Sequence, residues 1–180
     1  MNLPNKLTVL RVIMVPFFVF FMLTDFAGDA GKWIALVLFC LASLTDMLDG
    51  KIARARNLVT NFGKFMDPLE YKLIVSSAMI CLIQAGKLPD WVVIVIIAGE
   101  FIIRGFRRVA ADSGIVIAAS YWGKFKTVSQ MFMVIVLIAD LGGVFDTVGT
   151  VLIWIALILT VVSLIDYIAK NVEVLTKGGM

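Results

Sequence analysis

The sequence predicts an all-α integral membrane protein that crosses the bilayer about six times. Hydrophobic residues make up 61% of the 180 residues and charged residues only 16%, whereas a soluble domain is about half apolar and about a quarter charged. The apolar residues form segments close to the roughly 20 residues that a helix needs to cross the hydrocarbon core. These segments fill the chain almost end to end, so we expect one membrane domain over residues 1–180.

Short polar or Gly/Pro-rich breaks divide the apolar residues into helices. The breaks lie at residues 25–31, 55–60, 85–89, 113–120 and 141–146. The first helix follows Pro4 and Asn5 and has no small-residue cleavage site after it, which argues against a cleaved signal peptide. The predicted membrane spans are residues 5–24, 31–54, 61–84, 89–111, 122–140 and 147–169.

Basic residues predict the orientation of these spans. With both termini, the turn at 54–64 and residues 104–126 on one side, all but two of the 16 Lys and Arg residues lie on that side; Lys32 and Lys87 lie on the other. The basic side is expected to be cytoplasmic, which places both termini in the cytoplasm and makes the protein a multi-pass protein of the cell membrane. The net charge is +3. Its basic residues are therefore expected to face anionic lipid headgroups or phosphorylated substrates, and the charge predicts no nucleic-acid partner.

Three carboxylates interrupt the second and third spans. An ionised carboxylate at membrane depth is costly unless it is paired or bound to a metal, so such a residue marks a functional site. Asp46, Asp49, Gly50 and Ala53 stand at i, i+3, i+4 and i+7, which places them on one helix face. The two small residues leave room beside the carboxylates for a bulky ligand.

The third carboxylate, Asp67, is predicted to join the first two. Gly63 and Asp67 share a face of the next helix, and the short turn at 55–60 makes the two helices antiparallel neighbours. Three converging carboxylates suit Mg²⁺, Mn²⁺ or Ca²⁺ and disfavour zinc. The alternative is that the aspartates pair with arginines and only hold the helices together.

Two basic groups allow two interpretations each. Lys124 and Lys126 begin the fifth span, and Arg104, Arg107 and Arg108 end the fourth. Each group either anchors its helix at the membrane surface or binds a phosphate.

The acidic residues resemble a family signature, D-x-x-D-G-x-x-A-R, then eight residues, then G-x-x-x-D-x-x-x-D. The matching residues are Asp46, Asp49, Gly50, Ala53, Arg54, Gly63 and Asp67. This is the signature of the CDP-alcohol phosphotransferase (CDP-alcohol phosphatidyltransferase) family. Residues 4–11 also resemble the N-terminal segment of the family, and residues 100–107 and 123–127 resemble the bacterial branch that uses glycerol 3-phosphate as acceptor, so the likeness extends over the whole chain.

The resemblance implies a reaction and its participants. It implies a six-helix homodimer in which the acceptor hydroxyl of glycerol 3-phosphate attacks the diacylglycerol-linked phosphorus of CDP-diacylglycerol and CMP leaves. It implies Mg²⁺ or Mn²⁺ as cofactor, held by Asp46, Asp49 and Asp67. The substrate-binding residues it implies are Thr8, Arg11, Gly50, Ala53, Arg54, Gly63, Arg107, Lys124 and Lys126.

The chain departs from the family pattern at the end of the signature. Tyr71 stands where the last Asp, a metal neighbour and the proposed base, is expected. A phenol with an ordinary pKa near 10 is a poor base at neutral pH. Glu70 lies three residues after Asp67, so two interpretations follow: Glu70 replaces the lost carboxylate as ligand or base, or it pairs with Arg or reaches to the turn.

Further departures surround the predicted pocket. Gly99 stands where this branch tends to have Arg, whereas Arg104 and Arg108 stand where small or apolar residues are usual. The sequence therefore supports two hypotheses. One is an active transferase with Tyr71 at its catalytic centre. The other is a catalytically impaired or repurposed relative that binds a lipid or nucleotide without turnover.

Overall fold

The computed structural model describes the backbone of residues 3–55, 61–112 and 120–172 and the side chains of residues 9–45, 72–111 and 120–172. This part of the chain contains helices and no strand. The helices are α1 (Leu3–Leu23), α2 (Asp29–Ala55), α3 (Asn61–Gln84), α4 (Asp90–Asp112), α5 (Tyr121–Ala139) and α6 (Val144–Lys170). Every predicted segment is confirmed as a helix, with ends within three residues of the expected positions.

Glycines define two of the helix ends. Gly86 has φ of 69°, its N–H donates to the carbonyl of Ile83, and the N–H of Lys87 donates to the carbonyl of Leu82. This pair of hydrogen bonds around a left-handed glycine ends α3. Before α6, Gly142 and Gly143 have φ of 73° and 60°, and their carbonyls accept the first hydrogen bonds of the helix. This explains why α6 begins at Val144, three residues earlier than predicted.

The described chain divides into two compact units. The first comprises residues 1–87 and 134–141. In it, α1 packs against α2 and α3, and α2 packs against α3. The rings of Phe18 and Phe39, both fully buried, lie 6.1 Å apart at the α1–α2 contact. Burial of such rings supplies much of the packing energy of a helix pair.

The second unit comprises residues 88–133 and 142–180, and in it α4 packs against α6. The rings of Trp91 and Trp154 lie 6.1 Å apart at this contact, with Ile96 and Ala156 buried between the helices. The same unit buries several polar residues, which the next section describes.

Within the described residues, two helices, α5 and α6, are long and apolar enough to cross a membrane. Large apolar side chains such as Ile158 and Ile165 lie on exposed positions of α6, as expected for a surface that faces lipid rather than water. The apolar helices therefore indicate a membrane protein. Six crossings and cytoplasmic termini stay predictions.

Candidate active site

The family signature noted in the sequence is divided between two packed helices. Asp46 and Asp49 lie in the last ten residues of α2, and Gly63 and Asp67 lie in the first seven residues of α3. These helices pack together in the first unit, so the backbone confirms that the signature is helical on both sides of the 56–60 connection. The side chains of the signature lie outside the described residues, and the convergence of the carboxylates stays a prediction.

Other predicted site residues are also described by their backbone alone. The side chains of Thr8, Glu70 and Tyr71 are likewise outside the described set, as are those of Ala53 and Arg54. Their backbones are helical, in α1, α2 or α3. The structure thus leaves the roles of Glu70 and Tyr71 as predictions.

Arg11 is the predicted substrate-binding residue that the structure describes in the first unit. It is 2% exposed on α1, the helix that packs against both α2 and α3. The guanidinium interacts with other groups of the protein, as a buried charge must. Arg11 therefore belongs to the interior of the unit that carries the signature, not to its lipid-facing surface.

Lys126 forms a buried ion pair with Glu100. The Lys126 Nζ lies 2.6 Å from the Glu100 Oε1, and the two side chains are 6% and 13% exposed. Arg104, one helical turn after Glu100, lies close enough to interact electrostatically with Lys126. Of the two interpretations of Lys126, anchoring at the membrane surface does not fit this burial, because its ammonium is enclosed between α4 and α5. Phosphate binding by Lys126 stays a prediction.

Lys124 has a different environment from Lys126. Its side chain is exposed, and its Nζ lies 5.1 Å from the centroid of the Tyr121 ring, a cation–π arrangement typical of exposed sites. Residues two apart on a helix point about 200° apart. The structure therefore separates the two lysines, and the anchoring interpretation fits Lys124 better.

A row of buried polar side chains continues from Lys126 along the second unit. The Gln130 Nε2 donates to the Thr160 Oγ1 at 3.4 Å, and that hydroxyl donates to the carbonyl of Ala156 at 2.7 Å. Lys126 and Gln130 are one turn apart on α5, so they share a face. Sequence reasoning missed Gln130 and Thr160, although the i, i+4 spacing of Lys126 and Gln130 was a signal.

Of the two glycines described on α4, Gly99 is the one that lies against α6. A Cβ at position 99 would lie 3.0 Å from the Thr160 Cγ2, whereas a Cβ at Gly105 would meet nothing within 4 Å. Any side chain at residue 99 must displace Thr160, which holds Gln130. The departure from the family's Arg at this position thus has a packing consequence that the sequence did not reveal.

Near the carboxyl end of α6, Tyr167 is a third residue that sequence reasoning missed. It is 5% exposed, and its ring meets the Phe106 ring edge-on, with centroids 5.9 Å apart. Arg107, predicted to bind substrate, follows Phe106 on α4 and is exposed. A Tyr inside an apolar span is a signal in itself, because its hydroxyl needs a partner.

Comparison with known proteins identifies the family of the chain. Residues 1–162 match the family described as CDP-alcohol phosphatidyltransferase. The match covers most of the chain, including the signature on α2 and α3. The chain belongs to this family of enzymes, and the resemblance noted from the signature is confirmed.

Three relatives of the chain have names that state an activity. The chain is 44% identical to a CDP-diacylglycerol–glycerol-3-phosphate 3-phosphatidyltransferase of Bacillus subtilis, over 99% of both chains. It is 36% identical to a protein of the same name from Rickettsia typhi, over 92% of this chain and 94% of the relative. It is also 36% identical to a probable phosphatidylglycerophosphate synthase of Mycobacterium tuberculosis, over 94% of this chain and 81% of the relative.

Proposed function

We propose that this protein transfers the phosphatidyl group of CDP-diacylglycerol to glycerol 3-phosphate, giving phosphatidylglycerophosphate and CMP. The observation that carries the proposal is the full-length similarity to a relative named for this activity. The position of the signature supports it, because its two halves lie on helices that pack together in one unit. The protein would act in the cell membrane, as a multi-pass homodimer with its site open to the cytoplasm.

The signature fits a divalent metal. Its donors are carboxylates alone, on adjoining ends of α2 and α3, which is the oxygen-only set that Mg²⁺ and Mn²⁺ prefer. Asp46, Asp49 and Asp67 would hold the metal, with Glu70 as a further ligand. When bound, the metal neutralises the charge of the pyrophosphate and of the leaving CMP.

The side chains of this protein would bind the substrates and accept the proton. Gly50, Ala53 and Gly63 would leave space for the nucleotide and the pyrophosphate, as the small residues of the signature allow. Arg11 and Lys126 would orient phosphate groups. The acceptor hydroxyl forms a bond to the lipid phosphorus, the bond from that phosphorus to the CMP oxygen breaks, and a carboxylate takes the hydroxyl proton.

Tyr71 is the observation that favours a second candidate function. A phenol at the position of the proposed base suits a relative that binds CDP-diacylglycerol without turnover. Glu70, three residues after Asp67, supports the active alternative. The two functions can be distinguished by experiment, because CDP-diacylglycerol can occupy the site whether or not the acceptor hydroxyl is deprotonated.

The identity of the lipid product tests the proposal. Purified protein would be given CDP-diacylglycerol with Mg²⁺ and a mixture of glycerol 3-phosphate, free glycerol, inositol phosphate and serine. Mass spectrometry should find phosphatidylglycerophosphate as the main new lipid. A different phosphatidyl ester would contradict the choice of acceptor, and retention of CDP-diacylglycerol on the protein with no new lipid would favour the binding alternative.

A further inference from the structure

The hydroxyl of Tyr167 is buried without a hydrogen-bond partner. The residue is 5% exposed, and its Oη meets no donor or acceptor among the residues that the structure describes. A buried hydroxyl in this condition is destabilising, and native proteins rarely keep one unless it serves another purpose. A ligand that completes the hydrogen bond is such a purpose.

The surroundings of Tyr167 show what kind of ligand suits it. Its ring is fixed edge-on by Phe106, and the guanidinium of Arg107 lies close enough to interact electrostatically with it. Both neighbours are on α4, in the same unit as α6. A hydroxyl donor beside an exposed guanidinium favours an oxyanion that can reach it from solvent.

The polar character continues one turn earlier on α6. Ser163 is 2% exposed, and its hydroxyl lies 3.7 Å from the position that a Cβ on Gly123 would occupy. That separation is an ordinary van der Waals contact, so a methyl group at residue 123 would lie directly against this hydroxyl. Asp166, the nearest carboxylate along α6, is paired through its Oδ1 with the Nζ of Lys170 at 2.7 Å, and its Oδ2 is buried without a hydrogen-bond partner among the described residues.

We propose that the Tyr167 hydroxyl donates a hydrogen bond to a phosphate monoester bound beside Arg107, and that this phosphate belongs to the acceptor, glycerol 3-phosphate. The proposal rests on the proposed function and assigns Tyr167 as a specificity-determining residue for that acceptor. It explains why the hydroxyl is buried yet unpaired in the absence of ligand. It also explains why the adjacent guanidinium is exposed, since the acceptor is soluble and must enter from water.

Tyr167→Phe tests this assignment because it removes the hydroxyl and keeps the ring against Phe106. Loss of a hydrogen bond to a charged group should raise the KM for glycerol 3-phosphate about tenfold or more, with the KM for CDP-diacylglycerol unchanged. The unfolding temperature without ligand should stay the same or rise, because an unpaired hydroxyl is lost. Tyr121→Phe is the matched control, since that side chain is 78% exposed, and it should change neither KM.

Three results would overturn the assignment. An unchanged KM for glycerol 3-phosphate in Tyr167→Phe would mean that the hydroxyl touches no acceptor. An equal rise in both KM values, or a fall in unfolding temperature without ligand, would mean that the hydroxyl has a structural role. A wild-type protein that releases no CMP would instead contradict the proposed function, and the binding measurement below would still test Tyr167.

Thermal stabilisation separates the two sources of a phosphate group. In a neutral detergent, glycerol 3-phosphate should raise the unfolding temperature of the wild-type protein and of Tyr121→Phe more than that of Tyr167→Phe. Phosphatidic acid in mixed micelles should stabilise all three proteins equally. If the substitution weakens stabilisation by phosphatidic acid and leaves that by glycerol 3-phosphate intact, the hydroxyl binds a lipid headgroup and the assignment is wrong.

Discussion

Replacing Glu100 with Gln should destabilise the second unit strongly, because it leaves the ammonium of Lys126 buried without its counter-charge. The two side chains are 6% and 13% exposed and their charged atoms are 2.6 Å apart. Arg104 adds a second positive charge near Lys126. Gln is nearly the same size as Glu, so the substitution changes charge more than packing.

The expected magnitude follows from this burial. Removing one partner of a buried ion pair costs about 3–5 kcal/mol. For a chain of this size, each kcal/mol lowers the unfolding temperature by about 2–4 °C. Glu100→Gln should therefore unfold roughly 6–20 °C below the wild-type protein.

An exposed ion pair provides the matched control. Lys87 and Asp140 are also 2.6 Å apart, but their side chains are 40% and 39% exposed. Exposed pairs contribute about 0–1 kcal/mol, so Asp140→Asn should lower the unfolding temperature by no more than about 4 °C. The double variant Glu100→Gln/Lys126→Met should recover much of the lost stability, because no unpaired ammonium is left at that site.

Tryptophan fluorescence suits this measurement. The rings of Trp91 and Trp154 lie 6.1 Å apart between α4 and α6, so their emission changes when the second unit unfolds. The midpoint temperature of this change in detergent gives the stability of each variant. If Glu100→Gln unfolds at the wild-type temperature, or no lower than Asp140→Asn, the buried pair does not stabilise the protein and the reasoning fails.

Three other substitutions test the account. Gly99→Ala should be less stable than Gly105→Ala by about 1–3 kcal/mol in the same fluorescence assay, because both gain helix propensity but only the first overpacks the contact with α6. Equal stabilities would show that α4 and α6 accommodate the added methyl group without cost. Asp49→Asn should lower CMP release at least about 100-fold with little change in unfolding temperature, if the carboxylate holds the metal; Asp146→Asn, at the exposed start of α6, is its control and should release CMP at the wild-type rate. Tyr71→Asp should raise CMP release sharply if the missing carboxylate is the main defect, and an unchanged rate would show that residues beyond position 71 limit the reaction.

The helices could be predicted from the sequence because their ends have local causes. Gly86 ends α3 through its positive φ, and Asp90 opens α4 as an acceptor for the N–H of Trp91. The same is true of the signature, whose i, i+3 and i+4 spacings place Asp46, Asp49 and Gly50 on one helix by arithmetic alone. Features set by neighbours close in sequence were therefore accessible without a structure.

Features set by distant neighbours were not accessible. The sequence left Lys126 open between anchoring at the membrane surface and binding a phosphate, because its partner, Glu100, is on another helix. Gln130 pairs with Thr160, 30 residues away, so its spacing from Lys126 could show a shared helix face but not this partner. The space at Gly99 depends on Thr160 in the same way. Side-chain pairing across helices is decided by packing, which helical periodicity does not specify.

The most direct test of the proposed reaction is CMP release by the purified wild-type protein with CDP-diacylglycerol and glycerol 3-phosphate. CMP release should require both substrates and depend on Mg²⁺ or Mn²⁺. It should stop with a chelator and return when the metal is restored. Release that persists in the chelator would contradict the metal site on α2 and α3. No release under any of these conditions, from a protein that still binds CDP-diacylglycerol, would contradict the transferase assignment and leave the binding function in its place.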